Sequence, residues 1–423
     1  MKKLLLVSTA LVGVAMMSAP ASAAVKLGLG GFFSTYGVYA DNNEPAGTSL
    51  RKFDWRADRE LFVLGSTTLD NGLTVGVNYE MDLGGAVRTD EAYIYFSGGW
   101  GRLNVGAEDG AAFLLQVAAP SGDSNIDGMQ TTMQAFGSTD TLFDMKTNGL
   151  GLKKSNLLDY EHVSSANGLN SDDRLTYLTP KFSGFQAGVS YAPQDVQAQG
   201  QVNNILPMAA DNTIGAHDQV WEGALRWDGE FQGLGIALGG GYSHAALQAK
   251  DAAPTADATP TVSAGLSTWS AGTNLAWSGF SLGGSYQRET TKDQNGLDPF
   301  GAPPLATHNV NVTMNTWLAG LGYDNGPWHL GTSYIKAHLT RGANGVAADD
   351  GEIPKIDATV HRYTVGTGYT FGPGMTFNGS VSWGAFDNKT SAVADAGQGG
   401  TFGSLAANNN DFTQVTVGTN IQF

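Results

Sequence analysis

The sequence predicts an all-β fold, an antiparallel transmembrane β-barrel of about sixteen strands. Three observations support this prediction. The chain begins with an export signal, most of the remaining sequence alternates between apolar and polar residues, and turns rich in Gly, Asn and Pro divide it into short segments. A membrane protein built from strands is the class that combines all three features.

Residues 1–23 have the features of a secretory signal peptide. Lys2 and Lys3 precede an apolar run, and the segment closes on Ala21-Ser22-Ala23, a small-residue cleavage pattern. Beyond it, no stretch approaches the roughly 18 uninterrupted apolar residues that a membrane-spanning helix needs. We therefore expect residues 24–423 to form a single exported barrel domain.

The composition excludes several classes of protein. Hydrophobic residues make up 41% of the 423 residues and aromatic residues 10%, so the chain has enough apolar surface to fold. Cys is absent, which excludes disulfide frameworks, thiolate metal sites and cysteine nucleophiles. The formal net charge is −16, and we expect no nucleic-acid partner because phosphate binding needs a basic surface.

Alternation at a period of two is the dominant pattern of the remaining chain, and the last segment has it most clearly. There, Val415, Val417 and Ile421 share one face, while Gln414 and Asn420 share the other. Such segments are predicted to be strands with one apolar face and one polar face.

Short and long connections alternate along the chain, as expected when tight turns lie at one end of a barrel and loops at the other. The seven tight connections are Asp70-Asn71-Gly72, residues 98–101, Phe182-Ser183-Gly184, residues 228–233, Ser278-Gly279, Asp324-Asn325-Gly326 and residues 371–374. Seven hairpins and one further strand at each end, about residues 25–40 and 411–423, give sixteen strands, an even number that can close. The longest connection, residues 109–170, is the first candidate for a functional loop.

The apolar face is predicted to point outward. Aromatic residues lie near the strand ends, where amphipathic rings would sit at a lipid–water interface; they include Trp100, Trp227, Tyr242, Tyr323, Trp328 and Tyr369. A barrel of about sixteen strands is too wide for side chains to fill, so its interior would hold water. A channel follows from this geometry.

Three stretches resemble the general porins of Gram-negative outer membranes, particularly the alphaproteobacterial type. The first runs from RELFVLG at residues 59–65 through DNGL to Tyr79-Glu80, the second is residues 90–112, and the third is the last strand, which ends in Phe423. The resemblance implies a homotrimeric diffusion pore in the cell outer membrane, among lipid and lipopolysaccharide, whose third external loop folds into the lumen. It also implies that the outer-membrane assembly machinery reads Phe423.

In such a pore, basic side chains on one wall and carboxylates on an infolded loop would filter solutes by charge. Arg59 matches a basic position on the family's second strand, and Glu108 stands where several relatives carry a basic residue. The predicted pore constriction comprises the basic residues Arg56, Arg59, Arg102, Lys153, Lys154 and Arg174 and the acidic residues Glu108, Asp109, Asp123, Asp127, Asp140 and Asp144. The acidic excess predicts a mild preference for cations.

We expect no cofactor, although the acidic, Asn-rich loops could bind a structural calcium ion. The chain has no EF-hand pattern, no H-E-x-x-H pair among its seven His and no phosphate-binding loop, so an enzyme is not expected.

The leading prediction is passive diffusion of small hydrophilic solutes and ions. Three alternatives stay open: an outer-membrane barrel enzyme, an adhesin or structural barrel with a plugged lumen, and a substrate-selective channel. In the last of these, Phe113, Phe136 and Phe143 of the long loop would stack against sugars.

Overall fold

A computed structural model describes residues 25–42, 51–84, 87–123, 173–194, 217–247, 265–293, 309–344, 356–388 and 410–423. These residues form sixteen β-strands and one short helix, α1 (Ala111–Leu114). The strands are β1 (Lys26–Asn42), β2 (Phe53–Thr68), β3 (Thr74–Asp82), β4 (Arg88–Gly98), β5 (Gly101–Ala107), β6 (Asp173–Leu178), β7 (Phe185–Gln194), β8 (His217–Phe231), β9 (Leu234–Leu247), β10 (Gly265–Trp277), β11 (Phe280–Asp293), β12 (Asn309–Asn325), β13 (Trp328–Asn344), β14 (Ile356–Gly372), β15 (Met375–Asn388) and β16 (Asn410–Gln422).

The strands form one closed antiparallel barrel, in which each strand pairs with its neighbours in sequence and β1 pairs with β16. Two backbone hydrogen bonds complete this seam: Gly31 N–H donates to the Phe423 carbonyl at 3.0 Å, and Phe423 N–H donates to the Gly31 carbonyl at 3.1 Å. Closure gives each of the sixteen described strands a neighbour on both sides, as a structure surrounded by lipid requires. The predicted fold class and strand number are confirmed.

The seven predicted tight connections join the strands of the seven hairpins. At Ser183-Gly184 and Ser278-Gly279 both residues of the turn have positive φ, between 48° and 89°. Two-residue hairpin turns of this hand match the twist of the strands, and Gly at the second position adopts the conformation without strain. Both chain termini of the barrel lie at this tight-turn end, and the long connections lie at the other end, the long-loop end.

The pairing register assigns the two faces of the barrel. Phe33 on β1 lies opposite Ile421 on β16, and both side chains are exposed on the outer surface, whereas Ser34 points into the lumen. The outer face carries Val63, Ile94, Val189, Leu225, Leu282, Leu321 and Val365, and the inner face carries Asn78, Thr176, Ser190, Thr268, Gln287, Thr316 and Thr364. Apolar side chains therefore point outward and polar side chains point inward, as predicted.

Aromatic side chains form two belts on the outer surface. Toward the long-loop end, Tyr191 packs on Trp221 with ring centroids 4.4 Å apart, and the belt continues with Trp269, Tyr286, Trp317, Tyr334, Tyr363 and Trp383. Toward the tight-turn end, Phe280 packs on Tyr323 and Trp328 on Tyr369. Such belts mark the two interfaces of a bilayer.

The wall of the barrel is uneven in height. Strands β3, β4, β5 and β6 have 9, 11, 7 and 6 residues, whereas β12, β13 and β14 have 17 each.

Among the described residues, no helix is long and apolar enough to cross a membrane.

Candidate functional site

After β5 the chain turns into the lumen. Helix α1 contacts β6, β7, β8 and β9, and the residues after it cross the inner wall as far as β15, where Ser380 binds Asp123. We call residues 108–123 the infolded segment. The predicted long loop, residues 109–170, thus enters the lumen over its described part, and residues 124–170 lie outside the described residues.

Glu222 on β8 anchors the start of the infolded segment. Its Oε2 accepts hydrogen bonds from the Ala112 N–H at 3.1 Å and the Ser190 hydroxyl at 3.2 Å. Its Oε1 accepts from Arg174 Nη1 at 3.3 Å, and this ion pair is almost fully buried. The Ala111 N–H donates to Ser190 Oγ at 3.0 Å. The first N–H groups of the helix, which have no partner within it, are thereby satisfied by the wall.

Three further side chains bind the rest of the segment. Arg226 Nη1 donates to the Gln116 carbonyl at 2.8 Å, His329 Nε2 donates to the Ser121 carbonyl at 3.3 Å, and the Ser380 hydroxyl donates to Asp123 Oδ2 at 3.1 Å. These donors lie on β8, β13 and β15. The backbone of the segment is therefore held at several points across the wall.

Carboxylates occupy a different part of the inner wall, on β2, β3 and β4. Glu60 pairs with Asp82 in the register, and carboxylate oxygens of Glu60, Glu80 and Asp90 lie within 4.8 Å of one another. We call these residues, together with Asp58, the acidic wall. Such a concentration of negative charge attracts cations and repels anions.

Three of the basic side chains on the inner wall, Arg102, Arg174 and Arg226, contact other side chains closely. Arg226 donates from Nε and Nη2 to Asp228 at 2.9 to 3.0 Å, and Arg174 is paired with Glu222. Arg102 lies over the Tyr95 ring, with Cζ 4.0 Å from its centroid. Arg174 and Arg226 are each paired with a carboxylate, and acidic residues outnumber basic residues on β2 to β4.

Glu108 and Asp109, at the start of the infolded segment, have perturbed ionisation. Burial raises the pKa of the Glu108 carboxyl to about 7, although the Asn104 amide and the Arg102 charge act in the opposite direction. Burial also raises the pKa of Asp109 well above its usual range, against the charge of Arg174. The Glu108 carboxyl is therefore expected to change its ionisation state in the neutral range of pH.

The structure brings together part of the predicted constriction. Register and hydrogen bonds put Arg56, Arg102, Arg174, Glu108 and Asp123 on the lumen side, and Asp109 follows Glu108 directly. The remaining predicted residues Lys153, Lys154, Asp127, Asp140 and Asp144 lie outside the described residues.

Arg59 requires a correction. It pairs with Phe33, whose ring is exposed on the outer surface, whereas Arg56 pairs with Tyr36 on the inner face. Residues three apart in a strand point to opposite faces, so the two arginines cannot both line the pore. The register puts Arg59 outside.

Sequence reasoning missed the acidic wall and the anchors on β8. It looked for carboxylates on the long loop, but Asp58, Glu60 and Glu80 belong to strands. Alternation would have found them, because even-numbered residues of β2 and β3 share the inner face. Glu222 and Arg226 carry no local signal, since their role depends on contact with a distant segment.

Phe113 is the member of the predicted sugar-stacking set that lies among the described residues. Phe113 packs against a cluster of Ala112, Ala119, Leu318 and Ile335 at the inner wall, which does not favour a sugar-stacking role; Phe136 and Phe143 lie outside the described residues. Ser281 matches a G-x-S-x-G spacing but lies in β11 of an antiparallel hairpin. A nucleophile elbow instead needs a turn from a strand into a helix.

Among the described residues, the group that could hold a metal ion is Glu60, Glu80 and Asp90. Carboxylate oxygens are the ligands that calcium prefers, but acidic groups also cluster without an ion. Calcium binding therefore stays a prediction.

The chain matches a sequence-family model described as Gram-negative porin over residues 8–391. A comparison with curated protein sequences gives no match.

Solved structures with a similar fold include a porin and two outer-membrane proteins. The anion-selective porin from Comamonas acidovorans is 16% identical, with a TM-score of 0.57 over 95% of this chain and all of that one. The outer membrane channel DcaP of Acinetobacter baumannii is 12% identical, with a TM-score of 0.58 over 96% of this chain and all of that one. The trimer form of OmpT from Vibrio cholerae is 14% identical, with a TM-score of 0.53 over 95% of this chain and all of that one. Identities this low establish the fold alone.

Replacing Glu222 should loosen the start of the infolded segment. Glu222→Ala removes the acceptor of the Ala112 N–H and one partner of the buried Arg174, which should cost about 2 kcal/mol or more. We expect a lower thermal unfolding midpoint in detergent micelles, followed by circular dichroism. Glu230→Gln, an exposed change on the same strand, is the control, and equal midpoints for the two variants would contradict the anchoring role.

Proposed function

Because the chain belongs to the Gram-negative porin family, we propose that it forms a water-filled channel for passive diffusion of small hydrophilic solutes and ions, with a preference for cations. The observation that carries the cation preference is the acidic wall, where three carboxylates approach within 4.8 Å on the lumen side. The family and fold indicate an outer-membrane channel and not an enzyme.

The cation preference rests on position more than on the net charge of −16. Charges on the outer loops are screened over roughly 8 Å at physiological salt. Carboxylates on the lumen wall act directly on permeating ions in a confined space with low-dielectric walls. Since Arg174 and Arg226 are ion-paired with Glu222 and Asp228, they offset this field only in part.

We also propose that the protein assembles as a homotrimer through the outer face of β2 and the short strands β3 to β6 that follow it. By register, Arg59 on β2 lies on the outer face near Trp55 and Val63, both exposed on the apolar surface. The residue is half-buried, and its Nε is buried without a hydrogen-bond partner in the described part of the chain. A basic residue facing lipid at mid-depth costs about 2–4 kcal/mol. Contact with a second subunit would remove that cost, and OmpT of Vibrio cholerae has a trimer form.

The outer face also has a polar cleft that suggests where lipid headgroups bind. A polar cleft lined by Lys336, Thr359, His361, Asp357 and Asp387 lies on the outer face beyond the aromatic pair Tyr334 and Tyr363. We propose that headgroups of the outer leaflet, including lipopolysaccharide, contact it there. We further propose that the signal peptide is cleaved before residue 24 during export, and that the outer-membrane assembly machinery recognises Phe423.

Neutralising one residue of the acidic wall should weaken the cation preference. For Asp90→Asn we expect a smaller cation-favouring reversal potential across a KCl gradient in planar bilayers, because a lumen carboxylate is lost. Asp70→Asn in an exposed turn makes the same change of charge outside the wall and should leave the reversal potential near the wild-type value. Equal shifts from the two variants, or an anion-favouring reversal potential in the wild type, would contradict the proposal that the acidic wall produces the cation preference.

Ion selectivity should depend on pH through Glu108. Because its pKa lies at about 7, raising the pH from roughly 6 to 8 ionises the carboxylate and should strengthen the cation preference. In Glu108→Gln this part of the pH response should disappear. Reversal potentials measured over that range would check it, and an unchanged titration curve in the variant would assign the response to other groups.

Removing the outward charge should weaken subunit association. In Arg59→Ala we expect a larger monomer fraction by size-exclusion chromatography with light scattering in mild detergent. Arg288→Ala removes an exposed basic residue from the outer face of β11, across the barrel from β2, and serves as the control. An intact trimer in Arg59→Ala would show that this residue lies outside the interface.

A further inference from the structure

Glycine occupies the inner face of seven strands at the positions where the infolded segment crosses them. We call this set the glycine track; it consists of Gly188 on β7, Gly239 on β9, Gly272 on β10, Gly283 on β11, Gly320 on β12, Gly331 on β13 and Gly366 on β14. At each of them an added Cβ atom would collide with the segment or approach it closely.

The order of contacts follows the order of the strands. A Cβ at Gly188 would lie 3.0 Å from Leu115 Cδ1, and one at Gly239 would lie 2.8 Å from Val117 Cγ2. On the next strand, a Cβ at Gly272 would overlap the Val117 carbonyl oxygen. The segment therefore lies directly on the backbone of the wall as it passes from β7 to β10.

The same close approach continues to the end of the segment. A Cβ at Gly283 would lie 2.8 Å from Pro120 Cδ, and one at Gly320 would overlap the Pro120 carbonyl oxygen. At Gly331 it would meet the Ser121 carbonyl oxygen at 2.7 Å, and at Gly366 the Cβ of Asp123 at 2.6 Å.

Backbone conformation does not explain these glycines. The glycines with positive φ lie elsewhere among the described residues, at Gly72, Gly101, Gly106, Gly184, Gly233, Gly279, Gly326 and Gly374. Glycine inside a strand weakens it by roughly 0.5–1 kcal/mol relative to Ala and often marks the close approach of another backbone. The glycine track therefore leaves room for the backbone of the infolded segment to lie against the wall.

We propose that the glycine track is the positioning element of the channel: it sets how close the infolded segment lies to the wall, and thereby how much of the lumen stays open. The hydrogen bonds from Arg226, His329 and Ser380 hold the segment along its length, whereas the glycines determine its distance from the wall. The inference rests on the proposed channel function for its effect on conductance, but not for the position of the segment.

Substitutions at Gly320 test the proposal through conductance. Gly320→Ala adds only the Cβ that overlaps Pro120, and Gly320→Val adds two further methyl groups, so the segment should shift toward the pore axis. We expect single-channel conductance to fall in that order, by roughly half for Val, because the narrowest cross-section limits the current. Gly223→Val, on the outer face of β8 with no atom within 4 Å of an added Cβ, should conduct as wild type.

A second readout follows the position of the segment without current. The chain has no Cys, so Asp123→Cys with Ser380→Cys gives a unique pair at side chains that now meet at 3.1 Å. Disulfide yield in folded barrels should be high in this background, lower when Gly320→Ala or Gly320→Val is added, and unchanged when Gly223→Val is added.

The outcomes separate the two proposals. If Gly320 variants match Gly223→Val in both conductance and disulfide yield, the glycine track does not position the segment. If the wild-type protein forms no channel, the proposed function fails, while the disulfide yield still decides whether the track positions the segment.

Discussion

Backbone hydrogen bonding is the constraint on which the rest of this structure depends. A chain in lipid must pair its N–H and C=O groups internally, and the closed ladder from β1 to β16 does so around the whole wall. Closure makes the alternation of side chains decisive, because each residue then faces either lipid or lumen. The exposed Phe33 and the buried Ser34 next to it show how sharply one step along the strand separates the two.

The infolded segment obeys the same constraint inside the lumen. It has no strand neighbour, so side chains of the wall satisfy its backbone groups: Ser190 and Glu222 accept from Ala111 and Ala112, and Arg226 donates to Gln116. Each partner is itself held, Arg226 by Asp228 and Glu222 by Arg174. A loop held in this way can keep one position in a water-filled space.

Local patterns predicted the barrel, and contacts between distant residues decided the site. Turn residues such as Ser278-Gly279 and the alternation around Val415 and Val417 act over a few positions, so strand number and hairpins could be inferred from the sequence. The face of Arg59 depends on a register with β1 that a resemblance does not reveal. Gly239 carries no local signal for its role, which depends on the close approach of Val117, more than a hundred residues away in the sequence.

The two proposals concern different parts of the wall. Strands β7 to β14 carry the infolded segment on small residues, while β2 to β4 carry the carboxylates of Glu60, Glu80 and Asp90. Side chains larger than glycine under the segment would push it toward the pore axis. The charged side chains that do lie there, Glu222 and Arg226, bind its backbone and are each paired with a second charged group. If both proposals hold, a substitution in the glycine track changes the width of the pore while the contacts among Glu60, Glu80 and Asp90 stay intact, because the two sets of residues are far apart in the wall.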